Sequence, residues 1–172
     1  MNTLGQLTLS SRPLSWINTA FPFAAAYLLT TREIDLTLVI GTIYFLIPYN
    51  LAMYGINDVF DYESDLRNPR KGGVEGALLD PSIHRTTLWA AVITNVPFLV
   101  VSVFAVIAYS AKGLRFKEKP ALDSITSSTH FVSPAVYGLV LAGAAFTPAL
   151  WLILISFFLW GIASHAFGAV QD

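Results

Sequence analysis

The chain contains no cysteine. That excludes a disulfide framework, a thiolate metal site and a cysteine nucleophile; it leaves the redox compartment open. Charge is scarce too: Asp, Glu, Lys and Arg make up 12% of 172 residues, about half the roughly 25% of an ordinary soluble domain. So few charges cannot cover the surface of a water-soluble globule, and a disordered chain needs the opposite balance. The formal net charge of -1 gives no support for a nucleic-acid partner. Internal repeats and low-complexity segments are missing. The N-terminus lacks the basic start and small-residue cleavage pattern of a secretory signal peptide. What is abundant is apolar: 55% of residues are hydrophobic and the mean hydropathy is +0.61. These proportions point to an integral membrane protein whose main partner is the lipid bilayer.

A spanning helix needs about 20 apolar residues. Charge-free stretches between the ten Lys and Arg residues give five spans, roughly 15–31, 36–56, 88–111, 125–143 and 148–170. The second contains Pro48, which a membrane helix tolerates. The last two come from one long uncharged run divided at Gly143–Pro148, where Thr147 is a helix cap and Pro148 a first helical residue. The expected fold class is an all-α polytopic transmembrane bundle, with residues 1–172 forming a single domain.

Basic residues set the orientation. Arg67, Arg70, Lys71 and Arg85 form one cluster, and Lys112, Arg115, Lys117 and Lys119 form another. The positive-inside rule puts both in the cytoplasm. Only Leu88–Ala111 separates them, however, and one crossing would leave them on opposite sides. Its 24 residues cannot make two spans. Either Pro97 breaks the segment into a re-entrant hairpin, or a span's worth of sequence is missing.

At the cytoplasmic end of the second span the chain reads Asn57-Asp58-Val59-Phe60-Asp61-Tyr62-Glu63-Ser64-Asp65. If the helix continues, Asn57, Asp61 and Asp65 drift by roughly 40° per step, with Asp58 on the same stripe about 100° wide. Carboxylates packed this closely repel unless a cation sits among them. All the donor atoms are oxygen, a set that suits Mg²⁺ or Mn²⁺ rather than zinc. Arg67, Arg70, Lys71, Arg115 and Lys117 are available for phosphate oxygens. The competing reading is a set of ordinary solvated charges at a helix end. A calcium loop is disfavoured because the glycine at its sixth position is absent.

Asn57-Asp58-x-x-Asp61-x-x-x-Asp65 after an apolar helix resembles the first aspartate motif of the UbiA-type intramembrane prenyltransferases. Tyr109-Ser110 with Arg115 and Lys117 resembles that family's tyrosine–serine and basic segment. Gln171-Asp172 resembles the opening of its second aspartate motif. Within the family the wording is most similar to the lycopene elongases of C50 carotenoid biosynthesis. The stretches 11–16, 49–58, 68–76 and 122–131 carry that similarity.

The resemblance implies a Mg²⁺-dependent transfer of a dimethylallyl group from dimethylallyl diphosphate to lycopene, at the plasma membrane, with the aspartate motifs facing the cytoplasm and a carotenoid cyclase as a possible partner. It assigns Asn57, Asp61 and Asp65 to the first metal–diphosphate unit as catalytic and metal-holding residues, assisted by Asp58. It assigns Arg70, Lys71, Tyr109, Arg115 and Lys117 to substrate, and Asp172 to the second metal site. For Arg70 and Lys71 a pure topology signal is the preferred reading of the residues themselves, and Tyr109 suits a membrane interface equally well. The family has two spans where 88–111 has one, and further aspartates follow the position of Asp172. The chain is therefore expected to be the N-terminal part of an elongase with an internal deletion, inactive by itself. Alternatives are a related enzyme with a quinone precursor or chlorophyllide as acceptor, and a non-catalytic membrane fragment. An alcohol-phosphatidyl phosphotransferase is a poorer match, because Val59, Phe60 and Tyr62 stand where glycine and arginine are expected. His130 and His165 read as hydrogen-bonded histidines between helices, and Asp123 as the cap of the helix that follows it.

Overall fold

A computed structural model of the chain describes residues 1–69, 71–72, 76–95 and 120–171. Every regular element among them is helical, in line with the expected all-α class. In order they are α1 (Thr3–Ser10), a 3-10 turn (Pro13–Ser15), α2 (Trp16–Thr31), α3 (Leu36–Leu46), α4 (Pro48–Asn50), a π turn (Leu51–Gly55), α5 (Ile56–Phe60), α6 (Tyr62–Asp65), a second 3-10 turn (Pro81–Ile83), α7 (His84–Asn95), α8 (Pro120–Leu141) and α9 (Pro148–Gln171). The chain divides into two compact units. One holds residues 1–17 and the described residues from 44 to 95; the other holds 18–43 and 120–171.

Among the described residues, two stretches are long and apolar enough to cross a membrane, Leu36–Phe60 and Pro148–Phe167. Four of the five expected spans coincide with helices: α2, the run from α3 to α5, α8 and α9. α8 starts at Pro120 rather than near 125, so Asp123 lies in its first turn instead of capping it. α7 accounts for the start of the third expected span. The choice between one crossing and a re-entrant hairpin at 88–111 falls largely outside the described residues.

The division at Gly143 has a clear local cause. Gly143 has φ +67, a left-handed value that glycine adopts without a Cβ penalty. Its N–H donates to the Val140 carbonyl, and the Ala144 N–H reaches back to Leu139 at 2.9 Å. This pair of bonds is a Schellman ending that satisfies the last carbonyls of α8. Ala144 and Leu139 belong to one apolar cluster, the contact that usually accompanies that ending. Thr147 Oγ1 then accepts from the Leu150 N–H, and Pro148 opens α9. The two helices approach closely at Gly161, where a Cβ would collide with Ser128; Ser128 Oγ donates to the Phe158 carbonyl at 2.6 Å. Small residues at a helix crossing let the two backbones approach closely.

Pro48 interrupts the second long helix, because it lacks an N–H and its ring crowds the preceding turn. Carbonyls left without their usual partners need others in an apolar setting. Asn50 Nδ2 donates to the carbonyls of Phe45 (2.8 Å) and Leu46 (2.9 Å). Asn95 Nδ2, from α7, donates to the Pro48 carbonyl at 2.9 Å, and Tyr44 Oη donates to Asn95 Oδ1 at 2.8 Å. The π turn at Leu51–Gly55 follows at once. Gly55 lies where α1, the long helix and α7 converge: a Cβ there would stand 3.1 Å from Ser10 Oγ and from Thr87 Cγ2.

Candidate functional site

The helix does not run unbroken through the aspartate stretch, contrary to the sequence expectation. α5 ends at Phe60, and Asp61 takes up φ -94, ψ 1, the bridge region used in tight turns. The hydrogen-bond path nevertheless continues. The Asp61 N–H donates to the Asn57 carbonyl at 2.9 Å, and the Asp65 N–H to the Asp61 carbonyl at 2.8 Å. Asn57, Asp61 and Asp65 therefore keep their one-turn spacing across the break.

The three aspartates are not solvated charges at a helix end. Asp58 is 1% exposed, Asp61 6% and Asp65 7%, and buried carboxylates persist only where they are paired. Asp58 is the most enclosed. Its Oδ2 accepts from Ser10 Oγ at 3.2 Å. Its Oδ1 accepts from Arg12 Nη2 at 3.3 Å and Lys71 Nζ at 3.1 Å. Lys71 Nζ also lies 2.8 Å from Asp65 Oδ2, so one ammonium bridges two carboxylates. Asp61 and Asn57 engage in interactions of their own.

Ser10 and Arg12 were not predicted from the sequence, since both lie more than 40 residues from Asp58. Arg12 is held in an unusual position. Its backbone has φ 51, uncommon for a residue with a side chain. Its guanidinium stacks over Tyr54, 4.4 Å from the ring centre, a cation–π contact. Space for it comes from Gly76, whose φ is +128 and whose hypothetical Cβ would be 2.8 Å from Arg12 Nη2. The N-terminal segment Ser10–Arg12 is thus tied to the aspartate stretch by two contacts, the Ser10 hydrogen bond and the Arg12 salt bridge.

Of the other predicted residues, Lys71 joins the cluster, while Arg70, Tyr109, Arg115, Lys117 and Asp172 lie outside the described residues. In the other unit His165 Nε2 is 3.7 Å from Asp123 Oδ2, and His130 is buried in α8. Among the described residues, no three His, Cys, Asp or Glu converge as a ready metal cage. Magnesium does not require one: it is commonly held by one or two carboxylates and completed by water and substrate phosphates. The all-oxygen donors of Asn57, Asp61 and Asp65 fit that pattern.

Over its whole length the chain is similar to a lycopene elongase/hydratase of Corynebacterium glutamicum, with 58% identity covering 100% of this chain and 65% of the relative. It is 65% identical, over 95% of its length, to the C(50) beta-cyclic carotenoids biosynthesis protein LbtBC of Dietzia sp. (strain CQ4), of which it covers 41%. A lycopene elongase/hydratase of Halobacterium salinarum is 32% identical over 94% of this chain and 63% of the relative. The expected resemblance to lycopene elongases is therefore found. The chain spans less than two thirds of the length of these relatives. The match to the Corynebacterium protein runs over 187 residues against the 172 present here, at least fifteen more than this chain supplies between the matched ends. The chain matches no family model and no solved structure.

Proposed function

We propose that this chain forms the first metal–diphosphate half of a UbiA-type intramembrane prenyltransferase, in which a dimethylallyl group passes from dimethylallyl diphosphate to lycopene in C50 carotenoid biosynthesis. The observation that carries the reading is the set of buried carboxylates, Asp58, Asp61 and Asp65, at the end of an apolar helix, in a chain this similar to lycopene elongase/hydratases. Similarity to those relatives favours lycopene over a quinone precursor or chlorophyllide as acceptor.

Bound Mg²⁺ would supply neutralisation of the charge that grows on the departing diphosphate. Asn57, Asp61 and Asp65 would hold that ion. Arg70, Arg115, Lys117 and Tyr109 would contact diphosphate, and Asp172 would open the second metal site. Asp58 serves the first site by fixing Arg12 and Lys71 beside it. In the reaction the allylic C–O bond breaks and both electrons leave with diphosphate. An alkene of the carotenoid then forms the new C–C bond, and the positive charge moves onto the carotenoid. Loss of a proton or capture of water ends the sequence; capture of water is the outcome that "hydratase" in the relatives' names describes. Apolar helices keep water from the allylic cation until the C–C bond has formed.

The proposed architecture is a polytopic bundle in the plasma membrane with the aspartates on the cytoplasmic side, working beside a carotenoid cyclase. If the fifteen or more positions by which that match exceeds this chain belong at Leu88–Ala111, its 24 residues would grow close to two spans of about 20 residues each. A deletion of that size at that place would account for the conflict between the two basic loops. The test is expression in lycopene-producing cells of two chimeras, in which this chain replaces the matching part of the Corynebacterium glutamicum relative. One keeps the deletion and the other restores the fifteen residues. C45 and C50 products are expected from the restored form and not from the deleted one. No elongated carotenoid from the restored chimera, although it is inserted, would overturn the proposed reaction.

A further inference from the structure

Three carboxylates and two cations share the buried end of the second long helix. The Lys71 ammonium stands 3.1 Å from Asp58 and 2.8 Å from Asp65, and its side chain is only 9% exposed. It occupies a place between acidic oxygens where a cation is required. Arg12 has other anchorage in the Tyr54 ring. Among the described residues, the Lys71 ammonium meets the carboxylates of Asp58 and Asp65. The residue beside it, Gly72, has φ +90, and among the described residues nothing stands within 4 Å of a hypothetical Cβ there.

Resting on the metal-site reading above, we infer that Lys71 is the resident counter-ion of the aspartate stripe and exchanges with the divalent cation. With Lys71 in place, Asp65 is neutralised and the stripe stays folded without metal. A divalent ion entering at Asp65 competes with the ammonium for that oxygen: the Arg12 guanidinium and the Lys71 ammonium share Asp58 Oδ1 as single charges, but a doubly charged ion at contact distance repels the ammonium about twice as strongly. The freed Lys71 then carries its charge to the face from which diphosphate arrives. Lys71 thus lowers affinity for metal alone and favours metal that arrives with an anion. The stripe is charged by the metal–diphosphate pair rather than by free metal.

The experiment uses the whole chain in lipid nanodiscs and Mn²⁺ alone as probe. Mn²⁺ binding is read by electron paramagnetic resonance, and the reactivity of Lys71 by reductive methylation followed by mass spectrometry. In the wild-type chain Mn²⁺ is expected to raise Lys71 methylation several-fold. Lys71→Met is expected to tighten Mn²⁺ binding about tenfold, since a unit charge beside a carboxylate shifts its cation affinity by at least that factor. Lys71→Arg, which keeps the charge, should stay near wild type. Unchanged Lys71 reactivity in chains that hold Mn²⁺ would overturn the exchange while leaving the metal site intact; so would equal Mn²⁺ affinity in Lys71→Met. If the wild-type chain binds no Mn²⁺ even with pyrophosphate present, both the exchange and the metal reading fail. Should Lys71→Met not insert, the wild-type methylation result decides.

Discussion

Asp58→Asn separates the structural acid of this cluster from the proposed metal-holding ones. The substitution keeps shape and removes charge. The carboxylate it neutralises has a fully buried side chain and accepts from Ser10, Arg12 and Lys71 at 3.1 to 3.3 Å. Removing one partner of a buried ion pair costs about 3–5 kcal/mol. Here Lys71 retains Asp65 and Arg12 retains the face of Tyr54, so the lower end applies, about 3 kcal/mol. In a chain of this size that corresponds to a fall in melting temperature of about 6–12 °C. Tryptophan fluorescence of the detergent-solubilised chain is a suitable assay, because Trp16 Nε1 donates to Ser11 beside the same anchor. Glu63→Gln is the control, since Glu63 is exposed and should melt with the parent. Replacing both charges with apolar residues, Arg12→Met with Asp58→Leu, should recover part of the loss. If Asp58→Asn melts with the parent, the anchoring role assigned to Asp58 is wrong.

Gly76→Ala should loosen the same anchor, because its Cβ would meet Arg12 Nη2 at 2.8 Å and its φ of +128 disfavours a side chain; a loss of about 1–3 kcal/mol is expected in the same melting assay. Asp61→Asn in the restored chimera should abolish C45 and C50 formation while leaving membrane insertion intact; product within twofold of the parent, on the order of a few tenths of a kcal/mol in barrier, would contradict its role. Gly73→Cys, a unique thiol in a chain without cysteine, should resist an impermeant thiol reagent in intact cells and react after lysis, and labelling of intact cells would reverse the orientation. Hydrogen bonds from Ser82 hold the Asp80 carboxyl below its ordinary range. Because the folded value is the lower one, the stabilisation is complete at neutral pH and disappears only as the pH falls through that lowered value. Exchange protection of the Ser82 amide should follow that course.

Much of the helical layout is legible in the sequence because local chemistry writes it. Gly143, Thr147 and Pro148 act within one turn of where they stand, and the boundary between α8 and α9 falls between them. Charge-free length marks α2 and the run from α3 to α5 in the same way. The one-turn spacing of Asn57, Asp61 and Asp65 is also legible, since the main-chain bonds linking them are local. What stays hidden is long-range. Nothing near Asp58 announces that Ser10 and Arg12 will meet it, or that Gly76 makes room for the guanidinium. The break at Asp61 is hidden as well. No proline or glycine stands at it, and the Asn95 amide that reaches the Pro48 carbonyl ahead of the π turn comes from α7, 47 residues on. Lys71 shows how charge misleads: a basic residue in a loop reads as a topology signal, yet it lies between two buried carboxylates.

Metal binding with pyrophosphate tests the aspartate site most directly, because it needs neither the acceptor nor turnover. Mn²⁺ would be titrated into the wild-type chain and Asp61→Asn in nanodiscs, with pyrophosphate present, and read by electron paramagnetic resonance. The wild-type chain should bind Mn²⁺ more tightly with pyrophosphate than without it. Asp61→Asn should lose about a hundredfold in affinity, the order expected when one ligand charge is removed from a two-carboxylate site. Equal binding by the two chains, or no effect of pyrophosphate on the wild type, would contradict a metal–diphosphate site built on Asn57, Asp61 and Asp65.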